Sequence, residues 1–244
     1  MSSPRLRERC DIDAFIASAS IPMATQRIGF HTGQWTGQEL LLRWDGRGPG
    51  GILAAAKSRG TGHLVDARII AEGAELLATG RIPNLQVSIN VGVESMDAPR
   101  FAETVLGLWT DRGHAPSTLT LEISEAGSLE KRRRAVLQLC ELQAAGIRLA
   151  IDDFGIGHNH LHIIDRVGFD VIKLDQSLVR AACADAPGAA RARRLLKGLV
   201  GMIRDLGATP VIEGVERLEE AQLLLELGVP GQGFLIDAPR LVLP

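Results

Sequence analysis

The 244-residue chain has no apolar run near the roughly 18 residues that a membrane-crossing helix requires,. Its first residues, MSSPRLRERCDIDAF, are too charged for a secretory signal,. Cysteine is scarce: Cys10, Cys140 and Cys183 are odd in number and widely spaced, which argues against a disulfide framework or a cysteine-based zinc site,. These absences lead us to expect a cytoplasmic protein in a reducing compartment. Charge imbalance is also missing, because 27 basic residues stand against 29 acidic ones. That balance gives no basis for binding a nucleic-acid polymer. The basic strings KRRR (131–134) and RARR (191–194) fall in helical patterns and read as solvated helix faces,. Low-complexity tracts and interdomain linkers are absent too.

What is present is an alternation. Apolar, strand-like runs recur as GQELLLRW, LQVSINV, LTLEIS, IRLAIDD, FDVIKLD, ATPVIEG and GQGFLI. Helical patterns lie between them at 64–79, 99–112, 128–145, 189–206 and 217–227. Gly80, Gly113, Gly146, Gly207 and Gly228 fall where helices hand over to strands, a helix C-cap position,. RWDGRGPGGI and ADAPG read as surface loops. A further amphipathic helix is expected over 3–19, with Ser3 before Pro4 as its start signal. This rhythm predicts a parallel sheet covered by helices, and its repeat number favours a closed α/β barrel over an open sheet. The expected organisation is a lead-in over 1–24 and a barrel domain over 25–244.

Parity along the strands carries the functional reading, since alternate residues of a barrel strand point inward. In LTLEIS, Thr120 and Glu122 share the face opposite Leu119, Leu121 and Ile123. Ser88 and Asn90 share a face in VSINV, Ala150 and Asp152 in RLAIDD, and Lys173 and Asp175 in VIKLD. Val211 and Glu213 do so in TPVIEG, and Glu39, Leu41 and Arg43 in QELLLRW. The polar residue usually comes late in its strand, at the end where such barrels place their active face. Glu39 begins its run instead, which an antiparallel first strand would explain. Glu39, Asn90, Glu122, Asp152, Asp153 and Glu213 are hard oxygen donors, with no histidine or cysteine at ligand spacing. Magnesium or manganese is therefore expected rather than zinc. His158 and His160 have no third zinc partner in the sequence and read as loop histidines.

The ordered strings ELLLRW, SINVG, LEISE, IDDFGIG, VIKLD, IEGVE and GQGFL resemble those of the EAL-domain cyclic-di-GMP phosphodiesterases, over about residues 25–239. The resemblance implies a modified (β/α)8 TIM-type barrel with an antiparallel first strand. It implies two Mg2+ or Mn2+ ions: Glu39, Asn90, Glu122 and Asp152 match the ligands of one, and Asp152, Asp153 and Glu213 surround the other. Lys173, Glu213 and Glu216 match catalytic positions, with Lys173 orienting the attacking water. Arg43, Gln232 and Asp175 match substrate-side positions, and Glu125 matches the acid that steadies the loop after Asp153. A structural ion pair between Lys173 and Asp175, a rim ion pair for Arg43, and helix-start or turn roles for Glu216 and Gln232 remain alternatives. The implied reaction hydrolyses cyclic-di-GMP to linear pGpG by two-metal water activation.

The chain also departs from the family pattern. Leu40 replaces the central alanine of EAL. A gapless alignment back from Glu39 places Thr25-Gln26-Arg27 where the family has Gln-Pro-Ile, removing a substrate-side glutamine. Ile156 and His158 to His160 alter the loop, and IDAP replaces Phe-Gly-Arg-Pro near the end. A catalytically impaired cyclic-di-GMP receptor or protein-interaction module is thus the second reading. A barrel acting on another phosphorylated or enolisable substrate is a distant third. No sensory or cyclase motif accompanies the strings, so regulatory input is expected from a protein partner or from assembly, with a homodimer implied only by resemblance.

Overall fold

A computed structural model describes residues 11–44, 48–124, 129, 131–155 and 161–242. Its eight strands are β1 (Met23–Gly29), β2 (Trp35–Leu42), β3 (Val87–Asn90), β4 (Leu119–Ile123), β5 (Arg148–Phe154), β6 (Val171–Leu174), β7 (Thr209–Ile212) and β8 (Arg240–Val242). They form one curled sheet in the order β7-β6-β5-β4-β3-β2-β1-β8. Strands β2 to β7 pair in parallel, while β1 runs antiparallel to both β2 and β8. Gly231 spans the gap between β1 and β7 by bridging Gly29 in antiparallel fashion on one side and Ile212 in parallel fashion on the other. A Cβ at Gly231 would stand 3.0 Å from the backbone oxygen of Ile212 and 2.3 Å from the buried Leu224 Cδ2, so a side chain here would force its neighbours to shift.

Nine described helices are α1 (Ile12–Ala17), α2 (Gly50–Arg59), α3 (Gly62–Ala78), α4 (Phe101–Thr110), α5 (Arg133–Ala144), α6 (Leu161–Val167), α7 (Gln176–Ala182), α8 (Ala189–Asp205) and α9 (Leu218–Leu227). None of them is long and apolar enough to cross a membrane. Leu119, Leu121, Ile123, Leu149, Ile151, Ile172 and Leu174 are fully buried, between strands and helices. They are the residues whose strand parity assigns them outward, toward the helical layer. Glycines 80, 113, 146, 207 and 228 all have positive φ, between 62° and 96°, as handover residues require,.

Three expectations are corrected, and two strands are added. The antiparallel first strand exists, but it is β1 and not the strand carrying Glu39, which is β2 and parallel to β3. GQGFLI contributes only the two bridges of Gly231, to Gly29 and Ile212, and then turns, so it links β1 and β7 without adding a strand. The glycine-rich end of RWDGRGPGGI begins α2 at Gly50. Strands β1 and β8 carry no isolated apolar alternation strong enough to stand out, and only pairing with each other and with β2 defines them. The N-terminal helix is described over Ile12–Ala17, where Asp11 Oδ1 accepts from Ala14 N at 3.0 Å. Ser3 and Pro4 lie outside the described residues.

Candidate metal and active centre

The sheet register brings the acidic residues to one mouth. Asn90 and Glu122 are paired across β3 and β4, while Glu39 pairs with Ser88 two residues below Asn90. The glutamate's longer side chain spans that offset, and Asn90 Nδ2 donates to Glu39 Oε1 at 2.5 Å. Glu213 follows β7, with its backbone N–H donating to Leu174 O at 3.0 Å. The adjacent aspartates lie in an irregularity of β5, where the register with β6 shifts between Ile151 and Phe154. Such a bulge turns successive side chains toward one side instead of opposite faces. Asp153 sits at φ 54°, a left-handed conformation that costs on the order of 1 kcal/mol and that aspartate tolerates better than most residues,. Ligand oxygens of Asp152, Asp153 and Glu213 consequently lie within 4.8 Å of one another.

Lys173 occupies the centre. Its Nζ is 2.7 Å from Glu213 Oε1, 2.8 Å from Glu122 Oε2, 3.1 Å from Asp152 Oδ1 and 3.7 Å from Glu39 Oε2. Lys173 and Glu122 are each only 1% exposed. Burial works against the ammonium, but Glu122, Glu39, Asp152 and Glu213 together outweigh it and hold the Lys173 pKa well above the ordinary lysine value,. These neighbours favour the ammonium form of the lysine,. Burial pushes the Glu122 carboxyl up to about 7, Lys173 pulling it down while Glu39 and Asp152 push it further up. Burial likewise raises Glu213 to about 8, opposed by Lys173 and reinforced by Asp152 and Glu122. Asp153 is raised by burial and then by the neighbouring charges of Asp152 and Asp175.

The donor set fits divalent cations. Five carboxylates against one ammonium leave a formal charge of −4 when all are ionised, which matches two divalent ions. Asp152 Oδ1 is buried and, although near Lys173, it makes no directional hydrogen bond among the described residues. The ammonium it faces is closer to Glu122 and Glu213, at 2.8 and 2.7 Å, so this buried oxygen shares one cation with nearer carboxylates and an added cation would relieve it,. All the donors are hard oxygens, the ligand chemistry of Mg2+ or Mn2+.

The remaining expected residues divide. Gln232 reaches the cluster, with Nε2 donating to Glu39 Oε2 at 2.6 Å and to Gln26 Oε1 at 3.0 Å. Arg43 donates from Nη1 to Leu42 O at 3.0 Å. It lines a cavity of about 620 Å³ together with Asn90, Asp66, His63 and Lys57. Asp175 caps α7, its Oδ1 accepting from Ser177 N at 2.7 Å. Glu216 is not brought to the cluster; it is exposed and pairs with Arg180 at 3.1 Å. Glu125, Ile156, His158 and His160 lie outside the described residues.

Two residues of this region were not singled out by the sequence. Gln26 stands opposite Glu39 in the β1–β2 pairing and so shares its inward face,. Thus a glutamine does reach the site, although the gapless alignment puts Thr25 at the family's position; knowing the antiparallel register would have revealed it. Asp66, on the apolar stripe of α3, is buried in the cavity wall and accepts from Gly92 N at 2.8 Å. Burial pushes its carboxyl to about 6, against the lowering contributions of Ser95 and Gly92.

Comparison with known proteins gives a consistent relationship. The sequence model of a family described as EAL domain matches residues 14–239. Cyclic di-GMP phosphodiesterase PdeL of Escherichia coli is 29% identical over 217 residues, covering 85% of this chain and 59% of PdeL. Uncharacterized protein y4lL of Sinorhizobium fredii is 31% identical over 242 residues, covering 96% of this chain and 29% of y4lL. The solved manganese/cy-diGMP complex of Klebsiella pneumoniae BlrP1 superposes with a TM-score of 0.78 at 27% identity, over 92% of this chain and 57% of BlrP1. The chain therefore spans less than two thirds of the length of each of these relatives.

Proposed function

Because the chain belongs to the EAL domain family, we propose that it hydrolyses cyclic-di-GMP to linear pGpG using two divalent cations, Mg2+ or Mn2+. One cation would be held by Glu39, Asn90, Glu122 and Asp152, and the other by Asp152, Asp153 and Glu213. When bound, the cations supply Lewis acidity and offset the charge that develops on the phosphoryl oxygens. The observation carrying this reading is the convergence of five carboxylates from four strands (β2, β4, β5 and β7), four of them within 3.7 Å of one buried lysine. A cluster of that charge has little structural use without cations, since apolar residues of similar volume would stabilise the barrel mouth better.

The chain's own residues supply the rest. Lys173, favoured as an ammonium by the carboxylates around it, fixes them relative to one another and presents N–H donors toward the attacking water. Arg43, which lines the same cavity as Asn90, binds a substrate phosphate,. The cavity, apolar along Leu40, Leu53 and Ile69, receives a nucleobase and excludes water from its face,. Asn90, which lines the cavity and bonds Glu39, links base binding to the metal cluster.

The test is incubation of the purified chain with cyclic-di-GMP, with and without Mg2+ or Mn2+, followed by chromatography for pGpG. Metal-dependent formation of pGpG is expected. Binding without turnover at saturating metal would overturn the enzymatic reading in favour of a receptor, which the Thr25-Gln26-Arg27 departure favours. Absence of both binding and turnover would overturn the assignment of substrate.

A further inference from the structure

We propose that Gln26, on the antiparallel strand β1, is a positioning residue that orients the Gln232 amide and so holds the metal ligand Glu39 in place. The inference rests on the proposed role of Glu39, but it concerns residues that the family strings do not pair. Gln26 and Gln232 are 9% and 5% exposed. Gln26 Nε2 donates to the backbone carbonyl of Asp237 at 2.9 Å. A backbone carbonyl can only accept, so it decides which end of the Gln26 amide faces it. Gln26 Oε1 is thereby turned toward Gln232, where it accepts from Nε2 at 3.0 Å. Gln232 must then present its amino end, whose second hydrogen goes to Glu39 Oε2 at 2.6 Å.

The chain of bonds thus runs from an obligate acceptor to a carboxylate with one consistent polarity. Rotating the Gln232 amide by half a turn would set its oxygen against two other acceptors, Gln26 Oε1 and Glu39 Oε2. The observed orientation prevails even though it leaves Gln232 Oε1 buried with no hydrogen-bond partner among the described residues. Asp237 is itself anchored, its carboxylate accepting from Arg27 N at 3.1 Å and from Arg240 Nη2 at 2.7 Å. Arg240 lies on β8, which pairs with β1. The two strands that lie antiparallel therefore brace the side of Glu39 opposite Asn90, whose amide holds the other carboxylate oxygen.

The test is Mn2+ titration of the purified, substrate-free chain, followed by electron paramagnetic resonance of the free ion, for wild type, Gln26→Met, Gln232→Met and the double variant. Partners that orient metal ligands change metal affinity by about 10–100-fold when removed. We expect Gln26→Met to weaken Mn2+ binding about tenfold, and Gln232→Met to weaken it at least as much. Gln26→Met should have no further effect in the Gln232→Met background, because it acts only through that amide. A purely structural Gln26 would keep its full effect there, which overturns the proposal even if the single variant melts early. Wild-type affinity in Gln26→Met overturns it as well, with the metal site left standing. A wild-type chain that takes up no Mn2+ overturns both the proposal and the reading of the site.

Discussion

Replacing Lys173 with methionine separates the two sources of positive charge that the site can use. The substitution keeps the volume of the side chain and removes the ammonium that lies 2.7 to 3.7 Å from four carboxylates. Removing one partner of a buried charged set costs about 3–5 kcal/mol, because the remaining charges lose their compensation in a poorly solvated site. For a domain of this size each kcal/mol moves Tm by about 2–4 °C, so a fall of about 10 °C is expected in the metal-free chain at pH 7.5. Two changes of condition should reverse it. Saturating Mn2+ should narrow the gap to less than half, because the cations supply the missing charge. Lowering the pH to 5 should narrow it too, since Glu122 and Glu213, raised to about 7 and about 8, take up protons and repel less. Calorimetry in chelator, in Mn2+ and at both pH values measures all three. A metal-free difference below about 2 °C at pH 7.5, or a gap indifferent to Mn2+, would refute the view that this lysine and the cations answer the same charge.

Other outcomes follow from particular contacts. Glu39→Ala should abolish pGpG formation while the chain still melts cooperatively, measured by product chromatography beside circular dichroism; retained turnover would remove Glu39 from the site. Asp66→Asn should stabilise the protein increasingly as pH rises. The folded carboxyl titrates at about 6, above its ordinary 3.8, so folding is penalised once Asp66 ionises. The variant's advantage should grow from near zero at pH 4 to about 3 kcal/mol at pH 8, read from denaturant titrations, and a pH-independent difference would count against it. Gly233→Ala should cost more than about 2 kcal/mol and weaken Mn2+ binding. Its φ is 156° and an added Cβ would lie 2.2 Å from Val215 N, forcing the segment that carries Gln232 to shift. Ca2+ in place of Mg2+ should suppress hydrolysis, because its longer and looser coordination fits the same oxygens poorly for the reaction; full activity in Ca2+ would contradict this.

The amino-acid sequence alone determined the period-two alternation that separates Glu122 from Leu121 and Lys173 from Ile172, and with it which side chains face the barrel interior. It also determined the glycines that end the helices, because positive φ is a demand of the local backbone. Both are properties of neighbouring residues, and both held in the structure. Tertiary structure decided which interior residues meet. Glu39 reaches Asn90 from two residues lower because β2 is parallel to β3, and Gln26 reaches Gln232 because β1 is antiparallel to β2. It sent Glu216 to the surface beside Arg180 and gave Asp175 to the start of α7. Strand order, register and closure through Gly231 are contacts between residues far apart in the chain. No local periodicity encodes them, so the shared inward face of Glu122, Asp152 and Glu213 was legible in the strand alternation while their individual contacts were not.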